Sequence, residues 1–410
     1  MVTIRQSFVA DKIDDIEAAV AAELAKPEIR GQFQAGQSLA VTVGSRGISN
    51  IARITKAVID NLKALGVAPF IVPAMGSHGG ANPEGQREVL ASYGVTEETM
   101  GVPIRAEMDV VLVGHTPDGV EVYVSKPAME ADGIFVVGRV KPHTAFRGKV
   151  ESGLMKMMVI GLGKHKGATV IHRQGFARFA ELIPAAGRVI LEKAPILAGL
   201  AIVENGYDET MLLQAVHPND FEAEDARLLT IARENMPRIL FDDFDLLIVE
   251  EIGKDISGDG MDPNVTGRYI PRHLDVMDHT PRIQKVVVLD LTEETHGNAN
   301  GLGMADVITR RLFEGINFQY TYANSITSTE IRGAKIPMVM ETDHQAIVVG
   351  LRTCNGVEPE EAKVVRIKNT LELSTIEIST ALLPEAKANP RIEIVGEPKA
   401  MEFTTDGRLI

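Results

Sequence analysis

Apolar runs of strand length alternate with segments of helical period almost from the start of the chain. The run "SLAVTVGSR" (38–46) has the unbroken apolar character of a buried strand, and "NIARITKAVIDNLKALG" (50–66) spaces its apolar residues at helical period and stops at a glycine. "APFIVPAMGSHGG" (68–80) reads as a second strand and its loop, and "NPEGQREVLASYG" (82–94) as a helix opened by Asn82 and Pro83. "VEVYVS" (120–125), "DGIFVVGRV" (132–140) and "APILAGLAIVENG" (194–206) add strands, the last followed by the helical "NDFEAEDARLLTIARENM" (219–236). Past Pro237 the pattern restarts with "FDLLIVEEIGKD" (244–255) and "QKVVVLDL" (284–291). A helix is expected in "GMADVITRRLFEGI" (303–316), before "DHQAIVVGLRTC" (343–354) and the strand-like "AKVVRIKNT" (362–370). Strand and helix in alternation predict parallel sheets wrapped by helices. The expected fold is α/β, with two Rossmann-like domains: 1–239, 240–390, and a tail at 391–410 that returns to the first domain. No glycine fingerprint of the G-x-G-x-x-G kind opens the second domain.

Composition narrows the partners. The 410 residues are 45% hydrophobic and 24% charged, which suits two globular domains. Lys and Arg number 42 against 56 Asp and Glu, and the resulting charge of −14 argues against nucleic acid and anionic membranes as partners. No stretch approaches the ~18 apolar residues of a membrane span, and the N-terminus lacks a signal-peptide pattern, so a cytoplasmic protein is expected. The single cysteine, Cys354, excludes an internal disulfide framework and any zinc site built on two thiolates. A metal here needs histidines, carboxylates, or sulfur brought by a cofactor.

Candidate chemistry gathers where predicted strands end, which is where α/β sheets bind ligands. In "VTVGSRGISN" the chain runs from a strand into Gly44, Ser45 and Arg46 and then a helix begun at Ser49 or Asn50, so amides, a hydroxyl and a guanidinium converge as a phosphate would require. A tight turn with a capped helix and a surface arginine accounts for the same residues. His78 in "MGSHGG" stands between glycines that allow close approach of a ligand, or marks an exposed turn. His143 in "VKPHTAF" also follows a strand, and two histidines facing one cleft could take a proton from either mirror image of a small substrate. Lys156 sits among Leu154, Met155, Met157 and Met158; burial there would make its amine nucleophilic, whereas a snorkelling surface lysine is the plainer account. His172 follows on a helix expected from Gly167, and a lone histidine is more often structural than a ligand.

Taken in order, "GSRGISN", "MGSHGG", "TPDGVEVYVSKPAMEADGIFVVGRVKPH", "SGLMK" and "ATVIH" resemble the nickel-dependent lactate racemase family, with five landmarks at similar separations. The resemblance implies a cofactor and substrate cleft between the two domains. It also implies a nickel-pincer nucleotide, pyridinium-3-thioamide-5-thiocarboxylic acid mononucleotide, linked covalently to Lys156 and holding nickel through sulfur, carbon, sulfur and a nitrogen of His172. On the same resemblance His78 and His143 are the paired acid/base histidines, and Ser45 with Arg46 clamps the cofactor phosphate. The implied activity is racemisation or epimerisation of a 2-hydroxy acid, by hydride transfer to and from the cofactor through a 2-keto acid. The implied partners are the small-molecule hydroxy acid and the cofactor-synthesis enzymes.

Three departures qualify the resemblance. "RGKVE" is inserted between His143 and Lys156, and Thr42, Val43 and Gly44 precede Ser45 where the family carries an acidic residue. After Gly253 to Asp255 the chain has Asp259, Gly260 and Pro263 in place of the family's Tyr-Gln pair and lysine for the substrate carboxylate. A hydroxy acid other than lactate is therefore expected, with Arg147, Lys149 or Arg268 as carboxylate partners. The alternatives are a hydrolase or lyase with a divalent metal on His78, His143 and a carboxylate, and a nucleotide-cofactor-binding protein without turnover.

Overall fold

The computed structural model describes every residue except Arg46. The chain forms two compact units, Val9–Met236 and a second that joins Met1–Phe8 to Pro237–Ile410.

The second unit receives the first strand of the chain, β1 (Val2–Gln6). The first unit is built on β2 (Ser38–Val43), β3 (Ala68–Pro73), β6 (Gly133–Arg139), β7 (Ile196–Glu204) and β8 (Thr210–Val216), in the order β3-β2-β6-β7-β8. All neighbours are parallel except β7 and β8. Two further strands, β4 (Val110–His115) and β5 (Glu121–Ser125), form a separate antiparallel pair, so the "VEVYVS" strand exists but lies outside the main sheet.

A parallel sheet covered on both faces explains the unbroken apolar runs. Alternate residues of its strands enter two different cores. Ala40, Val72, Ile134 and Val136 pack with Leu154, Met158, Phe179 and Phe221 on one face. Leu39, Val41, Phe135 and Val137 pack with Ile54, Val58 and Leu62 on the other. The latter three belong to helix Ile51–Ala64, whose buried residues follow the predicted helical period. Helix Pro83–Ser92 begins as expected: the Asn82 side chain accepts the amide of Gly85 at 2.8 Å and Pro83 fills the first turn.

The second unit holds β9 (Asp243–Ile252), β10 (Arg282–Leu291), β11 (Val307–Thr309), β12 (Met338–Met340), β13 (Val364–Ile367), β14 (Thr375–Ile378) and β15 (Ile392–Ile394). The order is β12-β11-β10-β9-β13-β14-β1-β15, parallel from β12 to β13 and antiparallel beyond. The tail at 391–410 stays in this unit, where β15 pairs with β1 and Phe403 bridges Leu409. The segment expected as one helix at 303–316 divides. Val307–Thr309, rich in β-branched residues, pairs beside β10, and only Arg310–Glu314 is helical.

Candidate active site

Three neighbouring strands, β3, β2 and β6, deliver the candidate residues from their carboxyl ends. The chain leaves β2 for β3 on one side while β6 lies on the other, and such a switch point opens a crevice for ligands. Ser45 follows β2 and His78 follows β3, and the two touch: Ser45 Oγ lies 2.5 Å from His78 Nδ1. Tyr93 donates its hydroxyl to the Ser45 carbonyl at 2.9 Å. Of the amides at the expected helix start, that of Ser49 donates to the Glu204 carboxylate at 2.7 Å, and Arg139 pairs with Glu204 while donating to the Gly47 carbonyl. Arg46 lies outside the described residues.

The His78 loop is held from below. Gly76, Gly79 and Gly80 all take left-handed backbone angles. A Cβ on Gly79 would stand 2.6 Å from the backbone of Gly85, so the turn can close only on glycine. The fully buried Gln86 donates its amide to the carbonyls of Gly76 at 3.1 Å and His78 at 3.3 Å. Gly76 itself donates to the Gly161 carbonyl.

Lys156 ends the short helix Gly153–Lys156, and the next turn, Met157–Gly161, widens to π geometry. Insertions of this type accompany functional positions in many helices. The helix start is capped from a distant element: Asp225 accepts the amides of Leu154 at 3.0 Å and Met155 at 2.8 Å. Burial pushes the Asp225 carboxyl up to about 7 despite these two hydrogen bonds.

Helix Lys164–His172 starts three residues before the expected Gly167 and ends on His172. His172 Nδ1 is 2.6 Å from the Ala168 carbonyl. A carbonyl can only accept, so Nδ1 carries the proton and Nε2 of the neutral ring holds the lone pair. Burial holds His172 below its ordinary titration range, and the positive charge of Lys156 adds to that depression. His172 packs edge-on against Phe176 and Phe179, with ring centroids 5.6 and 5.3 Å away.

His143 reaches the same aromatic cluster, 4.5 Å from Phe146 and 6.0 Å from Phe176. Its Nδ1 accepts the amide of Ala145 at 3.0 Å, which places the proton of the neutral ring on Nε2. The inserted "RGKVE" closes this loop on itself. Glu151, fully buried, accepts the amides of His143 at 2.8 Å and Gly148 at 2.9 Å and pairs with Arg147 and Arg233. Arg147 also donates to the carbonyls of His143 and Phe146.

The structure therefore brings Ser45 to His78, and His172 and His143 to the surroundings of Phe176, with the charge of Lys156 bearing on His172. Lys149 is exposed. Arg268 lies in the other unit, where its guanidinium donates to Met304, Ile283 and Gln284 carbonyls and to Asp306. Asp225, Gln86 and Lys164 were not anticipated, because each acts on a partner that nothing local in the sequence identifies; Glu151 stood within the inserted "RGKVE" but without an expected role. Among the described residues no group of three or more His, Cys, Asp or Glu side chains is arranged to hold a metal ion. No helix among them is long and apolar enough to cross a membrane.

A mainly parallel α/β sheet whose strand ends lead to Ser45, His78 and His143 is the class of fold that binds ligands beyond its carboxyl edge. Residues 3–180 match the lactate racemase N-terminal domain family. The matched segment contains every candidate residue from Ser45 to His172. A protein of known crystal structure from Thermotoga maritima shares the fold at 12% identity and a TM-score of 0.55, over 87% of this chain and 96% of that one. The lactate racemase apoprotein from Thermoanaerobacterium thermosaccharolyticum aligns at 14% identity and a TM-score of 0.46, over 82% and 93%. No curated protein matches the chain.

Proposed function

We propose that this protein is an isomerase, a racemase or epimerase of a 2-hydroxy acid that works with a lysine-linked nickel-pincer nucleotide. The observation that carries the reading is the pairing of Lys156 with His172. An amine stands close enough for its charge to bear on an imidazole whose Nδ1 is fixed and whose Nε2 lone pair is left for a metal. The donor set fits a group that brings its own soft ligands, since the chain supplies one histidine nitrogen and no cluster of three among the described residues. Lys156 would anchor the nucleotide, His172 would ligate nickel, and Ser45 with Arg46 would meet the phosphate. The bound group would supply a hydride acceptor that returns the hydride to either face of the substrate carbon.

The chain's own residues handle the proton. His143, with Nδ1 occupied by Ala145, begins as a donor at Nε2. His78, held against Ser45, is the partner that takes the substrate hydroxyl proton, and the roles exchange in the reverse direction. Phe146, Phe176 and Phe179 keep water from the His143 and His172 side. Arg147, through the His143 carbonyl and Glu151, shapes the His143 loop, and Lys149 and Arg268 are the remaining candidates for the substrate carboxylate.

The test is intact-protein mass spectrometry with metal analysis on protein produced together with cofactor-synthesis enzymes, followed by chiral assay over a panel of 2-hydroxy acids. A mass increment on Lys156, nickel near one per chain, and racemisation lost in Lys156→Ala and His172→Ala are expected. Zinc or magnesium without a lysine adduct, or a loaded protein that isomerises nothing, would overturn the reading. The first outcome favours a divalent-metal hydrolase or lyase, the second a binding protein without turnover.

A further inference from the structure

Lys164 is fully buried, yet among the described residues it has no carboxylate within ion-pair distance. Its backbone takes φ of 53°, a conformation that costs a side-chain-bearing residue strain. Burying an ammonium in this way is expensive, and the cost is not offset by a counter-charge. Burial brings the amine down to about 8, outweighing the charge of Glu107, which acts to raise it.

Its two hydrogen bonds go to the Pro73 carbonyl at 2.7 Å and to Gln86 Oε1 at 3.1 Å. The first secures the carboxyl end of β3, where the His78 loop begins. The second fixes the orientation of an amide. An ammonium only donates, so Gln86 must turn its oxygen toward Lys164 and its nitrogen the other way. That nitrogen is the donor to the carbonyls of Gly76 and His78. The two loop carbonyls favour the same orientation, since a flip would set oxygen against both, and Lys164 reinforces it from the opposite side of the buried amide.

We propose that Lys164 is a positioning residue for His78: acting through the amide of Gln86, it sets the carbonyl of His78 and so the placement of the imidazole against Ser45. The relay runs ammonium to amide oxygen, amide nitrogen to loop carbonyls, with Pro73 securing the other end of the loop. The inference rests on His78 as one of the acid/base pair in the proposed function.

Two variants separate positioning from stability. Lys164→Met removes the ammonium. Gln86→Glu keeps an oxygen for Lys164, and converts the contact to an ion pair, but deletes the donor to the loop. Protein carrying 13C-labelled histidine is followed by NMR through a pH titration, with melting temperatures recorded alongside. Both variants are expected to shift the His78 Cε1 resonance and its titration midpoint while leaving those of His143 and His172 in place. In the loaded enzyme kcat falls about ten- to hundredfold with KM little changed, as a misplaced acid/base group does. A His78 signal unmoved in folded Lys164→Met protein overturns the proposal, and so does one unmoved in folded Gln86→Glu protein, which decides the matter if Lys164→Met does not fold. Because the spectrum needs no turnover, a wild-type protein that fails to racemise counts against the proposed function and leaves this result standing.

Discussion

Asp225 carries an unusual combination for a single residue: a carboxyl group buried almost completely, facing two backbone amides and, among the described residues, no cation within ion-pair distance. Its titration sits near 7, raised by burial from an ordinary value near 3.8. Between those values the native state keeps a proton that the unfolded chain has released, so stability falls as pH rises through that window. Asp225→Asn does not titrate there. The wild type should therefore lose stability relative to Asp225→Asn between pH 4 and 7, with a ceiling on the order of 4 kcal/mol from about three pH units at about 1.4 kcal/mol each. Urea unfolding at pH 4 and pH 8 measures it, and a difference that does not change with pH would remove the assignment. Residues of this kind explain what the sequence could not disclose. Ser45, His78 and Lys156 stand in short stretches whose glycine and apolar neighbours mark them as candidates, and His172 becomes one through the family resemblance. Asp225 reaches Leu154 across a separation of 71 residues, and Gln86 is an ordinary glutamine until Lys164 faces it.

Elements differ from expectation where tertiary contacts decide the backbone. A helix ending at His172 was legible from Gly167, but not the short helix Gly153–Lys156, its widened turn at Met157–Gly161, nor the earlier start at Lys164. Gly153 shows why. It takes φ of 79°, and a Cβ there would stand 2.2 Å from Asp225 Oδ1, so the helix bearing Lys156 begins only where a glycine lets the carboxylate approach. Gly153→Ala should cost about 2–4 kcal/mol, combining left-handed strain with a lost cap. Adding Asp225→Ala should restore part of that, because the clash disappears with the carboxylate. Thermal melts of the two single variants and the double variant form the cycle, and strict additivity would show that the two residues do not oppose each other.

At the scale of the whole molecule, the alternation of strands and helices announced two α/β units, while the ownership of the first eight residues was invisible. β1 is a short strand whose partners lie near the far end of the chain: Val2 faces Ile378 and Ile4 faces Ile394. Nothing local in "VTIRQ" points there. Once placed, it fills the position between β14 and β15, and its buried Gln6 donates to the carbonyls of Leu373 and Arg238 and accepts the amide of Leu240. One side chain thus fixes the segment by which the chain enters the second unit. Removing Met1–Phe8 would leave β14 and β15 with unpaired edges and three backbone groups without their partner. The shortened chain should be cleaved first between residues 368 and 396 under limited proteolysis, and its second unit should melt lower, while Val9–Met236 keeps the resistance it has in the full chain. Mass mapping of the early fragments decides the matter. First cuts within Val9–Met236 would mean that the strand supports the unit bearing Lys156 and His172 rather than the sheet it completes.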